Sequence, residues 1–132
     1  MTDFVANIAR FVKKANGNVD LVVKKITFDV FSRVIRKTPV DTGRARGNWL
    51  CSTDNPLTVQ LSGARSAEAT ISDMGAIALR QPAGGVVYLT NNLPYIHRLE
   101  NGWSQQAPAG MVGTTLTELP YIVQVQAREV AK

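Results

Sequence analysis

The sequence predicts an α+β fold, in which a small, mainly antiparallel sheet of about four strands is packed by two N-terminal helices and a C-terminal helix. Apolar residues recur at helical spacing near the start of the chain, whereas short β-branched runs alternate with polar residues farther along. Clusters of Gly, Pro and Asn separate these runs. At 132 residues the chain has the size of one domain, so we expect a single domain over residues 1–132.

Two helices are predicted at the N-terminal end. The first covers residues 3–15, where apolar side chains share one face. The second covers residues 19–37 and ends before Pro39, because proline disfavours helical geometry in the residue that precedes it. The apolar arc of the second helix is too wide for one contact surface. We therefore expect this helix to lie across a sheet and also to meet another helix or another subunit.

Four strands are predicted in the middle of the chain. β-Branched and alternating runs indicate strands at residues 47–53, 57–61 and 86–90. A fourth strand is expected at residues 112–116. The turn-forming residues 54–56 join the first two strands as a hairpin-type connection.

Shorter helices and loops complete the prediction. Residues 72–79 keep helical spacing, and residues 95–100 form one or two helical turns after Pro94. Residues 103–110 contain further breakers and are predicted to form an exposed loop. The C-terminal segment fits both a strand and a helix. We favour a helix over residues 118–131, because the residues before it resemble a helix start.

The composition narrows the possible classes of protein. A net charge of +5 permits contact with nucleic acid or with an acidic protein surface, but a solvated basic face explains it equally well. The single cysteine excludes an internal disulfide and fits a reducing cytosol. No apolar run approaches the ~20 residues that span a bilayer, and the N-terminal segment lacks a signal-peptide core. We therefore expect no membrane partner.

Patterns that indicate catalysis or ligand binding are sparse. His97 is the only histidine, and a hydrolase hypothesis would make it a base oriented by Glu100 with Ser104 as the nucleophile. Nearness in sequence does not make a catalytic set, so we expect no enzyme activity. The chain has no phosphate-binding loop and no other pair of metal ligands at suitable spacing. We expect no cofactor, no metal and no small-molecule substrate.

Two blocks of sequence carry a resemblance to a known family. Residues 38–49 read Thr-Pro-Val-Asp-Thr-Gly-Arg-Ala-Arg-Gly-Asn-Trp, and residues 95–112 read Tyr-Ile-His-Arg-Leu-Glu-Asn-Gly-Trp-Ser-Gln-Gln-Ala-Pro-Ala-Gly-Met-Val. In order and spacing the two blocks resemble the small tail-completion (neck) proteins of long-tailed bacteriophages, a family often labelled minor tail protein Z. Together with the matching length, the resemblance covers most of the chain.

The resemblance implies a structural virion protein that acts in tail completion and head–tail joining. Such proteins are expected to form a ring of six subunits around the channel for double-stranded DNA, and a head-to-tail contact that closes by rotation makes such a ring. The implied partners are head-closure proteins and the tail terminator or tail tube. The implied location is the virion tail or neck, with the host cytoplasm during assembly. A monomer in dilute solution is compatible with this role.

The matched blocks define two candidate contact regions, the loop 38–46 and the segment 95–111. We expect the charges of the first to face a partner or the channel. In the second, Trp103 is either an interface anchor or a core residue, since tryptophan is common in both places. The glycines of both blocks are expected to meet backbone requirements. The candidate interface residues are Arg44, Arg46, Arg98, Glu100, Trp103 and Gln106.

The alternative hypothesis is a small basic protein that binds nucleic acid without sequence specificity. Five basic residues come close together around the end of the second predicted helix, either as a solvated face or as a patch for DNA or acidic subunits. No recognition helix or zinc finger accompanies them, so any contact would be to phosphate and sensitive to salt. The five residues are Arg33, Arg36, Lys37, Arg44 and Arg46.

Overall fold

The computed structural model describes residues 19–40, 43–82 and 84–131. The helix predicted at residues 3–15 lies outside the described residues. In chain order the elements are α1 (Val19–Lys37), α2 (Arg44–Gly47), β1 (Leu50–Ser52), α3 (Ala67–Ala78), β2 (Tyr88–Thr90), α4 (Ile96–Glu100), α5 (Val112–Thr117) and α6 (Leu119–Ala131).

The predicted sheet of about four strands is wrong. The described part of the chain is mostly helical, with six helices and a single two-stranded antiparallel sheet formed by β1 and β2. Both strands fall inside predicted strands but are only three residues long. The paired residues are Leu50 and Thr90, Cys51 and Leu89, and Ser52 and Tyr88.

The segment 57–61 has the alternation of a strand but is held by side-chain amides. The Leu61 N–H donates to Oδ1 of the buried Asn48 at 2.7 Å. Nδ2 of Asn92 donates to the carbonyl oxygens of Leu57 at 2.7 Å and of Val59 at 3.1 Å. Backbone polar groups need partners, and here asparagine side chains supply them in place of a neighbouring strand. The strand predicted at residues 57–61 is therefore wrong.

The segment predicted as the fourth strand is helix α5. Its β-branched and small residues favour a strand locally, but the carboxylate of Glu100 accepts hydrogen bonds from the first amides of the helix. These amides have no partner within a helix, so an acceptor placed at this end stabilises helical geometry. After α5 the chain continues through Glu118 into α6, which confirms the C-terminal helix.

Helix α3 begins earlier than the predicted residue 72. Ser66 caps it, because its Oγ accepts a hydrogen bond from the N–H of Ala69 at 3.0 Å. Gly75 lies in the middle of this helix, although glycine is a poor helix former. A Cβ at this position would lie 2.8 Å from Cε2 of Phe28 in α1. The glycine therefore permits the close approach of α1 and α3.

Helix α1 does not lie across a sheet as predicted, because its main contacts are with other helices. It packs against α3 and against α6, and more narrowly against α5. One buried cluster joins α1 and α3 through Ile35 and Met74, with sheet residues at its edge. A second cluster joins Val22 of α1 to Ala127 of α6. The expectation that this helix is covered on more than one side is confirmed.

Polar contacts fix how α1 meets the C-terminal helices. Arg33 donates to Asp29 at 2.7 Å and to Glu118 at 2.8 Å, and Lys37 forms an ion pair with the same Glu118. Nε2 of Gln126 donates to the other oxygen of Asp29 at 2.9 Å. Basic or amide side chains bond to both carboxylates. The contact of α1 with Glu118 and α6 therefore depends on charge and hydrogen bonds as well as on apolar packing.

Within the described ranges, no helix is both long enough and apolar enough to cross a membrane.

We expect Asn48→Ala to lower the free energy of unfolding by about 3 kcal/mol, because it leaves the partly buried Leu61 N–H without its acceptor and removes two hydrogen bonds to backbone carbonyls. Urea unfolding followed by circular dichroism measures the change. The control is Asn101→Ala at an exposed position, which should stay within about 0.5 kcal/mol of the parent. Equal stability of the two variants would contradict the bracing role of Asn48.

Candidate partner interface

The structure brings the two matched blocks together. The N–H of Val40 donates to Oε1 of Gln106 at 2.8 Å, and Nε2 of Gln106 donates to the carbonyl oxygen of Val40 at 3.1 Å. The glutamine amide thus pairs with a backbone unit 66 residues away in sequence. The described residues of the two predicted contact regions, 38–46 and 95–111, therefore adjoin each other.

An open groove of about 580 Å³ lies between the blocks. Trp103 stands at its edge with 73% of its surface exposed. The guanidinium carbon of Arg98 lies 5.2 Å from the centre of the Trp103 ring, a distance at which a cation is attracted to the ring face. The lining residues are Pro39, Gly43, Ala45, Tyr95, Leu99, Trp103, Ser104 and Gln106.

Glu100 is engaged within the chain. Its Oε1 accepts hydrogen bonds from the N–H groups of Met111 and Val112, and its Oε2 accepts one from Gly113, each at 2.9 Å. Partial burial raises the pKa of this carboxyl, but the three backbone bonds outweigh burial and hold its pKa below the ordinary value. The carboxylate is therefore charged at neutral pH and anchors the start of α5.

Gly102 and Gly110 close the loop between α4 and α5. Both have positive φ, 85° and 84°, a region that side chains with a Cβ rarely adopt. A Cβ on Gly102 would overlap the carbonyl oxygen of Pro108, and a Cβ on Gly110 would overlap that of Glu100. The expectation that these glycines meet backbone requirements is confirmed. The tight closure sets the direction in which Trp103 leaves the loop.

Arg44 and Arg46 brace helix α2 against the segment 60–65. Nε and Nη2 of Arg46 donate to the carbonyl oxygen of Arg65 at 3.2 and 3.0 Å. Nη2 of Arg44 donates to Oε1 of Gln60 at 3.4 Å. These contacts lie within the chain, so a partner-facing role for the two arginines stays a prediction.

The two tryptophans of the matched blocks have different environments. Trp49 is buried, and its Nε1 donates to Oγ1 of Thr38 at 2.7 Å, while that hydroxyl donates to the carbonyl of Val34 at 2.8 Å. Trp103 is exposed. Both were open to either interpretation from sequence. Trp49 belongs to the core, whereas Trp103 is available to a partner.

The structure does not assemble the residues of the hydrolase hypothesis. His97 is exposed, and no described hydrogen bond joins it to Glu100 or Ser104. The Ser104 hydroxyl accepts from the N–H of Gln106 at 3.2 Å. Among the described residues there is also no cluster of three side chains able to hold a metal ion.

Several groups that give the surface its shape were not predicted as site residues from the sequence. Asn91 donates to the carbonyl oxygen of Ala45 at 2.8 Å and accepts from the N–H of Leu93 at 3.2 Å, which joins the end of β2 to helix α2. Tyr95 and Leu99 line the groove. The adjacent asparagines after a predicted strand were a usable signal, because asparagine side chains often bond to nearby backbone.

A scan against protein-family models finds no match to the chain, and searches of curated proteins and of solved structures find none either. The two sequence blocks and the geometry of the groove between them are therefore the basis on which a function can be proposed.

We expect Gly102→Ala to destabilise the protein by at least about 3 kcal/mol, because the added methyl group combines backbone strain with overlap on Pro108. Gly63→Ala is the matched control. Gly63 has φ +83° but nothing within 4 Å of an added Cβ, so strain alone should cost about 1 kcal/mol. Thermal unfolding of both variants measures the difference. Similar losses would show that the loop around Gly102 can relax.

We expect Glu100→Gln to cost about 2 kcal/mol at pH 7, because an amide cannot accept all three backbone bonds and carries no charge. The folded-state pKa of Glu100 lies below its ordinary 4.5, so the carboxylate's stabilisation is complete above about that pH. It is lost as the pH falls through the folded-state pKa. The stability gap between parent and variant should therefore narrow below pH 4.5.

Urea unfolding from pH 7 to pH 3 measures this gap. Asp54→Asn is the control, since Asp54 is exposed and forms no ion pair with a described residue. A gap that stays constant over this range would show that the charge of Glu100 contributes nothing to the folded state.

Proposed function

We propose that this chain is a structural protein of a long-tailed bacteriophage virion that completes the tail at the head–tail connection. The single observation that carries the proposal is the exposed Trp103, with Arg98 beside its ring, at a groove to which both matched blocks contribute. Large aromatic and arginine side chains are enriched among residues that dominate protein interfaces. The role proposed is assembly rather than catalysis.

The ring arrangement follows from the same proposal. In a ring, each subunit presents one surface to the preceding copy and a different surface to the next one. The groove supplies one such surface, and its aromatic and guanidinium groups suit a desolvated contact. The proposed partners beyond the ring are head-closure proteins and the tail terminator or tail tube. The proposed locations are the virion neck and, during assembly, the host cytoplasm.

Net positive charge supports a position near DNA without requiring a DNA-binding site. A charge of +5 attracts phosphate, and such binding falls steeply with salt. Arg46, one of the five basic residues considered for a patch, is engaged with a backbone carbonyl. No separate observation favours specific recognition of nucleic acid. Duplex binding is therefore an outcome to be measured beside ring formation.

We expect Trp103→Ala to leave folding almost unchanged, within about 0.5 kcal/mol, because the side chain is 73% exposed. It should reduce joined, infectious particles by about 30-fold or more if Trp103 is an interface anchor. The measurement is complementation of a phage that lacks its own copy of the protein. Electron microscopy should then reveal tailless heads or unjoined tails.

Tyr121→Ala is the matched control, because Tyr121 is an aromatic with 61% exposure on α6, away from the groove. Normal particle yields with Trp103→Ala would count against the groove as the interface. Absence of the parent protein from purified particles, combined with retardation of duplex DNA at low salt, would instead favour the nucleic-acid hypothesis.

A further inference from the structure

An apolar trough runs along helix α1. Two adjoining cavities of about 270 and 260 Å³ form it, and they share Val30, Phe31 and Val87 in their linings. The described lining of the second cavity contains no charged side chain. Lys24 lines the first cavity, and its ammonium group is paired with Asp20 at 2.8 Å. Because burying an unpaired charge is costly, an occupant of the trough should be apolar.

The floor of the trough is one face of α1. Four residues at helical spacing line it, namely Val23, Thr27, Val30 and Val34. The neighbouring faces of the helix are covered, since Phe28 packs towards α3 and Val22 packs on α6. In the trough itself, Val23 is 38% exposed and Leu116 is 55% exposed. The described part of the chain therefore leaves this face of α1 partly uncovered.

Residues 3–15 have the composition that the trough requires. Their apolar side chains share one face of the helix that the sequence predicts, and these are Phe4, Val5, Ile8, Phe11 and Val12. A helix over these 13 residues has a length of about 20 Å. The stretch of α1 from Val23 to Val34 is about 17 Å long. The length and the apolar face of the segment therefore match the trough.

The connection to α1 directs the segment towards the same chain. Residues 16–18 read Asn-Gly-Asn, which is turn-forming chemistry. Helices joined by such a short connection commonly pack as an antiparallel hairpin. Helix α1 begins at Val19, one turn before Val23 at the first end of the trough. The short link also gives the segment a high effective concentration at this face.

We propose that residues 3–15 fold back along α1 of the same chain and fill the trough with their apolar face. In an antiparallel hairpin, residues at equal distances from the turn face each other, so Phe11 lies near Val23 and Phe4 lies near Val30. The contact closes the trough to other proteins in the free subunit and leaves the groove beside Trp103 as the open surface. This inference is independent of the proposed ring.

The test is cross-linking in the full chain. Cys51→Ala removes the native thiol, and a short bismaleimide then joins the introduced pairs F11C/V23C and F4C/V30C. The mismatched pair F4C/V23C is the control, because its two positions lie about 10 Å apart along the hairpin axis. At low protein concentration, the matched pairs should cross-link within single chains at least about tenfold faster than the mismatched pair.

A second measurement needs no introduced cysteine. Phe11→Asp places a charge on the apolar face of the segment, whereas Ala6→Asp places the same charge on the opposite face. The first variant should increase the fluorescence of the apolar dye ANS by about fivefold, and the second should stay within about twofold of the parent. Retained near-ultraviolet circular dichroism in both variants would show that the buried Trp49 keeps its environment.

The outcomes also separate this inference from the proposed function. Equal cross-linking rates for matched and mismatched pairs, or equal dye binding by the two aspartate variants, would overturn the contact. Cross-linked dimers in place of single chains would show that the segment of a second copy fills the trough, which would overturn the contact within one chain. None of these readouts depends on ring formation, so the proposed function is tested separately.

Discussion

The carboxylate of Glu100 connects the end of α4 to the start of α5 through three backbone N–H bonds, and the geometry of the candidate interface depends on that connection. Because the first amides of a helix lack partners within it, a fixed anion at this end favours helix over strand. The connection also draws the ends of the intervening loop together. Gly102 and Gly110 permit the close approach, and Trp103 is left pointing outward.

Many side chains of the matched blocks stabilise the fold through contacts within the chain. Thr38 and Trp49 bond to each other in the core, Asn48 holds the segment 57–61, and Gln106 joins the first block to the second. Few of these side chains remain available to a partner. The blocks therefore specify the shape of a surface, and the exposed groups Arg98 and Trp103 stand on it. A surface braced in this way loses little conformational entropy on binding, which favours affinity.

Helix α1 packs against both α3 and α6 and so fixes how these two helices are arranged. Its apolar arc contacts α3 on one side and α6 on another, and the polar side chains between them fix the register through Asp29 and Glu118. Interiors are packed densely, so a shift of α1 would disturb both contacts together. Beside the small sheet, asparagine side chains bond to backbone groups that a further strand would otherwise pair.

The sequence alone determined helix α1, whose apolar period is long and regular, together with the short helix and exposed loop of the second block, whereas it left α6 open between a helix and a strand. It also determined which residues were candidates for the interface, through the resemblance of two blocks. The number of strands was decided by tertiary structure. Segments 57–61 and 112–116 both have strand-like composition, but their backbone partners are the distant side chains of Asn48, Asn92 and Glu100. The propensity of a local segment does not reveal these hydrogen-bond partners, because the residues involved come together only in the tertiary structure. For the same reason, only the tertiary structure distinguished the buried Trp49 from the exposed Trp103 and brought the two blocks to one groove.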